Sequence, residues 1–266
     1  MWSKAELDRY ARHIVLPGVG GAGQQRLKES AVLVVGAGGL GSPILMYLAA
    51  AGVGRLGIIE MDRVELSNLQ RQVLYSTAEI GRSKAEVARE KLEALNPHLQ
   101  VEAHALRLTS QNALDLLRPY DVVIDASDNF PTRYLVNDAC VLLDKPLVYG
   151  AIHQFEGQVS VFHCQGGPCY RCLYPIPPQP GSVANCAEAG VLGVLPGVIG
   201  SLMAAEALKL RLGLGEPLSG RLLLYDVLHH GFHQVAFSRR PDCPVCGDQP
   251  SVTTLIDYEA WCGISV

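Results

Sequence analysis

Along the first 150 residues, short apolar runs alternate with longer segments whose apolar positions recur at helical spacing. "AVLVV" (Ala31–Val35) is a continuous β-branched run that stops at glycine, as a strand buried on both faces should. "GLGSPILMYLAAAGVG" then reads as a helix ending at Gly52, and "RLGIIE" as a second strand. "QVEAHALRL", "DVVIDAS" and "KPLVYGAI" supply a third, fourth and fifth strand. Between them, "SKAEVAREKLEALNP", "TSQNALDLLRPY" and "FPTRYLVNDACVLLD" read as helices. Two capping-box patterns mark helix starts, Ser3 with Glu6 and Ser83 with Glu86. The first predicts a helix over about Lys4 to His13, and "PGVGGAGQQRL" turns into another short one. Strict alternation of strand and helix predicts a Rossmann-like, doubly wound, mainly parallel α/β sheet.

The pattern changes after residue 150. "EGQVSVFHC" reads as an antiparallel strand, and "GRLLLYDVLHHGFHQVAFSR" as a hairpin. Residues from about Gly166 to Ala187 are rich in Pro, Gly and Cys and predict an irregular crossing segment. "LGVLPGVIGSLMAAEALKLRLG" predicts a long apolar helix, broken or started near Pro196. No linker divides the chain. The expectation is one domain over 1–266, with a nucleotide-binding half (about 1–150) and an antiparallel, cysteine-bearing extension (about 151–266).

Composition narrows the function classes. Of 266 residues, 48% are hydrophobic and 18% charged, and the formal net charge is -4, which argues against nucleic acid or an anionic membrane as a bulk partner. No unbroken apolar run reaches transmembrane length, and "MWSKAELDRYARH" lacks the apolar core of a signal peptide. A cytoplasmic protein is expected.

The chemistry begins at "VVGAGGLG". Gly36, Gly38 and Gly41 have Gly-x-Gly-x-x-Gly spacing between a strand and a helix. That spacing permits a tight turn and close backbone approach to phosphates. Glu60 ends the next strand, where an acid would bind ribose. These features predict an adenine nucleotide without choosing among NAD, FAD, ATP and S-adenosylmethionine. The following loop, "EMDRVELSNLQRQ", carries more polar groups than a dinucleotide needs. Arg71 offers a guanidinium fork to phosphate oxygens. Lys84 opens a helix, where a cation opposes the macrodipole unless an anion binds there. Asp128 lies just past the fourth strand, placed either to hold Mg²⁺ beside phosphates or to cap the helix that follows; Asn129 could take the capping role. Two cations and a metal carboxylate suit a triphosphate.

The segments "RYARHIVLPGVG", "VLVVGAGGLGSP", "LSNLQRQ", "GRSKAEVA", "DASDN", "PCYRC", "NCAEAGVLG" and "CPVCG" resemble, in order and over nearly the whole chain, the MoeB/ThiF/HesA family. These are bacterial relatives of ubiquitin-activating enzymes. The resemblance implies ATP- and Mg²⁺-dependent adenylation of the C-terminal Gly-Gly carboxylate of a ubiquitin-like sulfur carrier of the MoaD or ThiS type, with release of pyrophosphate. It also implies a homodimer in which Arg12 reaches the phosphates of the neighbouring subunit. By the same resemblance Gly39 and Gly41 belong to the nucleotide loop, Glu60 to the ribose, Asn68, Arg71 and Lys84 to the phosphates, and Asp128 to magnesium. Asp62, Gln70 and Gln72 are expected to be supporting or structural groups, with no role fixed for each.

The chain has eight cysteines. Cys169/Cys172 and Cys243/Cys246 form two Cys-x-x-Cys pairs, which in a reducing compartment read as metal ligands before disulfides. The resemblance makes them a structural Zn²⁺ site, closed by four thiolates. Cys186 matches a family loop cysteine that takes part in sulfur transfer or a thioester in some relatives; a covalent role and a plain loop cysteine are both open. Cys140 falls in an apolar helix and is expected in the core. The tail "TTLIDYEAWCGISV" has no assigned role. No rhodanese-like segment follows, so the sulfur donor is expected to be a separate cysteine desulfurase or rhodanese-type protein. Three other readings remain: an NAD- or FAD-linked oxidoreductase, a non-catalytic dimer that binds a ubiquitin-like partner, and an adenylating enzyme for another carboxylate.

Overall fold

The computed structural model of the chain describes residues 2–179 and 189–263. Eight strands form a single sheet in the order β3-β2-β1-β4-β5-β6-β7-β8. β1 (Ala31–Val35), β2 (Arg55–Ile59), β3 (Gln100–His104), β4 (Val122–Asp125) and β5 (Leu147–His153) are parallel. β6 (Glu156–Phe162), β7 (Arg221–Asp226) and β8 (Gly231–Ala236) continue the sheet antiparallel. The order reverses at β1, between β2 and β4, and such a switch point opens a crevice beyond the strand ends.

Helices cover both faces. One layer holds α2 (Gly20–Glu29), α3 (Gly41–Ala51), α4 (Lys84–Leu95) and α8 (Leu195–Leu212). Its core joins Leu27, Ile44, Leu48, Leu92, Ile199 and Met203 to Val32 and Val34 of β1. The other layer holds α5 (Ala113–Leu117), α6 (Phe130–Leu142), α7 (Tyr170–Leu173) and α9 (Tyr258–Trp261). Its core joins Leu117, Tyr134, Tyr170 and Tyr258 to Ala31, Leu33 and Val35. Both faces of β1 are therefore buried, which is why its apolar run is unbroken. α1 (Lys4–Ile14) packs on α2.

Local signals explain most boundaries. Ser3 and Glu6 form the full reciprocal capping box of α1. α3 ends at Gly52 in the left-handed conformation, φ 86°. Pro196 stands in the first turn of α8, so it starts that helix instead of breaking it. Only half of the second box forms: Ser83 caps the N–H of Glu86, while the Glu86 carboxylate takes Arg89 instead. The helix read in "TSQNALDLLRPY" shrinks to Ala113–Leu117, and the crossing segment gains the short α7. Among the described residues no helix is long and apolar enough to cross a membrane.

Candidate nucleotide site and cysteine cluster

The parallel strands carry their last residues to one crevice, a cavity of about 1090 Å³. β1 delivers Gly36, Gly38 and Gly39, β2 delivers Glu60, and β4 delivers Ser127 and Asp128, all of them lining it. Gly36 has φ +94°, and a Cβ there would stand 2.8 Å from the Ala126 carbonyl oxygen. A side chain at Gly41 would meet the Gly36 carbonyl oxygen at 2.1 Å. Gly41 thus serves the loop from beneath, by letting the first turn of α3 pack against it, and is not itself in the cavity wall.

The loop is held by Gln72, Tyr75 and Glu60. The buried Gln72 side chain lies under Gly38, its amide nitrogen 3.4 Å from where a Cβ would be. The Tyr75 hydroxyl sits 2.8 Å from the Ala37 carbonyl oxygen and 3.3 Å from that of Lys84, joining the loop to the start of α4. Burial pushes the Tyr75 pKa up, so it remains a donor. Glu60 accepts the Ala37 N–H on one oxygen and the Asp62 N–H on the other, at 3.0 and 2.9 Å. Each oxygen keeps a lone pair for a further donor, as ribose binding needs.

Lys84 lines the cavity and is buried, so it is not a solvated surface lysine. Its Nζ lies 3.2 Å from Asp62 Oδ2, which gives Asp62 a part in holding it. Arg71 reaches the cavity beside Gly39 and donates to the Ser67 carbonyl oxygen at 3.3 Å. Asn129 caps α6 through the Thr132 N–H at 3.0 Å, which leaves the exposed Asp128 carboxylate on the cavity wall. Asp128 makes no hydrogen bond or ion pair with a described residue, so its donor set fits a divalent cation shared with phosphate.

Two expected site residues stand apart. Asn68 does not line the cavity; its amide lies 3.3 Å from Ser67 Oγ and its carbonyl oxygen accepts the N–H groups of Arg71 and Gln72, so it shapes the turn that presents Arg71. Arg12 is exposed in the last turn of α1 and is not part of this chain's own cavity wall. Cys186 lies outside the described residues.

The far end of the cavity is aromatic and was missed by the sequence reading. Tyr149, Tyr170 and Tyr174 line it with Arg133. Gln158 fixes two of the rings, donating to Tyr149 Oη at 3.0 Å and accepting from the Tyr174 hydroxyl at 3.1 Å. Gln72 Oε1, Asp125 Oδ2, Ser127 Oγ and Arg133 Nε are buried around the cavity without a hydrogen-bond partner. Burial pushes the Asp125 carboxyl above the usual carboxylate range. Such a cluster of unmet polar groups marks a ligand site better than a packed core.

A second centre lies behind α6. The sulfurs of Cys169, Cys172, Cys243 and Cys246 all fall within 4.8 Å of one another. Cys169–Cys243 and Cys172–Cys246 are 3.6 and 3.4 Å apart, close to the roughly 3.8 Å edge of a tetrahedron with 2.3 Å metal–sulfur bonds and too long for disulfides. The four cysteines could hold a zinc ion. Arg171, between the first two, is buried and forks onto Asp138 of α6 at 2.9 and 2.7 Å. The Tyr258 hydroxyl donates to the same carboxylate at 2.7 Å, and the Arg171 guanidinium lies 4.2 Å from the Trp261 ring centre. The described part of the unassigned tail is therefore packed on Asp138 and Arg171, beside the cysteine centre, and its Glu259 and Cys262 close one side of the cavity. Cys140 is fully buried in α6, as expected.

The chain is similar in sequence to known proteins. A sulfur carrier protein adenylyltransferase of Thermus thermophilus is 65% identical over 99% of both chains. An adenylyltransferase and sulfurtransferase MOCS3 of Mus musculus is 55% identical over 99% of this chain but only 57% of its own length, so the chain spans a little over half of that longer relative. Among solved structures, E. coli MccB superposes with a TM-score of 0.80 at 24% identity, covering 91% of this chain and 73% of that one. Its complex with ATP superposes with a TM-score of 0.73 at 26% identity, covering 84% and 68%. The ThiF family profile matches residues 10–245, which is most of the chain, and the chain belongs to that family.

Proposed function

We propose that the chain adenylates the C-terminal glycine carboxylate of a ubiquitin-like sulfur carrier protein, using ATP and releasing pyrophosphate. The carrying observation is one cavity that joins a glycine loop, a buried Lys84, Arg71 and an unpaired Asp128 at one end to a groove at the other. The Thermus relative's name supports the same activity. A carboxylate oxygen forms a bond to the α-phosphorus, and the bond from that phosphorus to the pyrophosphate bridging oxygen breaks. Its electron pair leaves with pyrophosphate. No proton need move, so the site supplies alignment and charge instead of an acid–base pair.

Glu60 holds the ribose, the glycine-loop amides and Arg71 take the phosphate chain, and Lys84 neutralises charge at the reacting phosphate. Asn68 acts through the turn that presents Arg71. Asp128 would hold Mg²⁺, which neutralises phosphate charge when bound. A homodimer would add Arg12 from a second copy, which agrees with its exposure here. Cys169, Cys172, Cys243 and Cys246 would hold Zn²⁺ in a closed, structural site that ties α7 to the tail. The nucleotide half and the antiparallel half act as one domain on a shared sheet. Sulfur would come from a separate donor protein. Cation-rich phosphate chemistry disfavours the nicotinamide and flavin reading.

The test is ATP–pyrophosphate exchange with candidate carriers, each with an intact and a Gly-Gly-truncated tail. Exchange is expected only with an intact carrier. No exchange with any intact carrier, alongside binding of NAD or FAD, overturns the proposal.

A further inference from the structure

Adenylation brings two anions together, the triphosphate and the attacking carboxylate, in a cavity whose wall already carries Glu60, Asp62, Asp128, Glu156 and Glu259. A carboxylate entering it needs a cation of its own. We propose that this cation is Arg133, which receives the carrier's terminal carboxylate and holds one oxygen while the other faces the α-phosphorus. The proposal rests on the adenylation reading and adds a binding residue to it.

Four cationic side chains line the cavity among the described residues: Arg71, Lys84, Arg107 and Arg133. Lys84 is paired with Asp62, and Arg107 with Glu259. Arg71 stands beside Gly39, at the glycine loop, and is committed to phosphate by position. Arg133 forms no ion pair with a described residue, and the carboxyl that acts on its charge is the buried Asp125 at the end of β4, which burial itself pushes toward the neutral form. Its Nε is buried without a hydrogen-bond partner, and one long bond of 3.4 Å runs from its terminal nitrogen to the Ser127 carbonyl oxygen. The Tyr170 hydroxyl also lies against it, and its guanidinium carbon is 5.3 and 5.7 Å from the Phe130 and Tyr149 ring centres. A guanidinium held by rings, the Tyr170 hydroxyl and one long bond, with no carboxylate in contact, is placed and keeps its Nε donor unused. That is the state of a group awaiting an anion.

Its position fits the carboxylate and not the phosphates. Arg133 is fixed to Ser127, the neighbour of Asp128 at the end of β4, and packs on Tyr149 of β5. From there the cavity continues over Ala151, Gln158 and Leu224, which stand in register across β5, β6 and β7 and all line it. An extended chain lying on this row and moving toward the nucleotide crosses β7, β6 and β5 in turn. It meets Arg133 before it meets the glycine loop at β1. The carboxylate is thus caught beside Asp128, with the triphosphate beyond it. Arg133 forms no covalent bond and gives up no proton.

The test uses a carrier that supports exchange, prepared by semisynthesis with its last glycine either as the acid or as the amide. Binding of each form is measured with a nonhydrolysable ATP analogue present. The wild type is expected to prefer the acid by about tenfold or more, the worth of a charge-assisted hydrogen bond. In R133Q the preference should fall to about twofold or less, with affinity for the ATP analogue within about threefold of wild type. R133K, which keeps the charge without the fork, should recover part of the preference. An unchanged acid-to-amide ratio in both variants overturns the role of Arg133. So does a loss of ATP-analogue affinity equal to the loss of carrier affinity, which would make the residue structural. A wild type that shows no exchange with any acid-form carrier overturns the adenylation reading itself, and the inference with it.

Discussion

Gly41→Ala separates two physical effects of opposite sign. Gly41 is the first residue of α3, and helix propensity alone predicts a gain of up to about 1 kcal/mol from the substitution. The structure predicts the reverse. The new Cβ would stand 2.1 Å from the Gly36 carbonyl oxygen, about 0.9 Å inside the 3.0 Å below which real Cβ atoms are essentially never found. The obstacle is backbone, so no rotamer change relieves it. Either α3 moves out or the glycine loop moves up. Overpacking of this kind costs about 1–3 kcal/mol, which exceeds the propensity gain. A net loss of roughly 1–2 kcal/mol lowers Tm by a few degrees, about 2–6 °C for a chain of this size. Displacing the loop amides should also weaken ATP binding by about tenfold or more, as one lost charge-assisted hydrogen bond would. Gly21→Ala is the control, because Gly21 lies exposed in α2 with no described atom near its Cβ position; it should raise Tm slightly and leave ATP binding alone. Thermal melts and calorimetric titration with an ATP analogue read both quantities. A Gly41→Ala protein as stable as wild type and binding ATP within twofold would refute the reasoning.

Five other substitutions test separate parts of the account. Lys84→Met should cut exchange by about a hundredfold, as loss of one preorganised charge does, while Asp62→Asn should cost far less; equal effects would make the ion pair, and not the lysine, the active element. Glu60→Gln keeps one acceptor oxygen but puts an amide where the other N–H must be received, so ATP affinity should fall about tenfold; unchanged affinity would remove Glu60 from the site. Metal analysis should find one zinc per chain, and Cys172→Ser should lose it and lower Tm, because the cluster ties α7 to the tail; a zinc-free wild type of equal stability contradicts this. Glu6 is held down to about 2, first by the Lys28 ammonium and then by the Ser3 N–H. Its folded pKa lies below the unfolded one, so its contribution is complete above about pH 4.3 and disappears as pH falls toward 2. The Tm gap between wild type and Glu6→Gln should therefore be present at pH 7 and shrink below about pH 4; a gap independent of pH would exclude this linkage.

The frame of this fold was legible because its signals are local. Ala31–Val35 reads as a buried strand from five residues, and Gly52 and Asn129 mark helix ends from one residue each. That Gly36, Gly38, Glu60 and Asp128 share one cavity was legible for a related reason: glycine spacing and acids just past strand ends are local patterns. What escaped were contacts made by tertiary packing. Gln72 and Tyr75 follow Arg71 closely, yet nothing in their spacing says that they lie under the glycine loop. Arg133 carried a faint signal, a charge inside the otherwise apolar "FPTRYLV", but its side of the helix is set by Tyr149 and Tyr170 from distant segments. The tail was unreadable because Tyr258 and Trp261 find their partners, Asp138 and Arg171, more than eighty residues earlier. Asn68 shows the converse: it was expected at the phosphates, and the structure places it behind Arg71. Arg12 was expected to act on a neighbouring subunit, and it stands exposed outside this chain's own cavity.

The most direct test of the central claim is intact-mass analysis of an acid-form carrier incubated with the protein, ATP and Mg²⁺ in the absence of any sulfur donor. The account predicts a carrier heavier by one adenylate, formed in step with pyrophosphate and absent when Asp128 is replaced by Ala. ATP consumed to ADP and phosphate, with no mass change on any intact carrier, would contradict it.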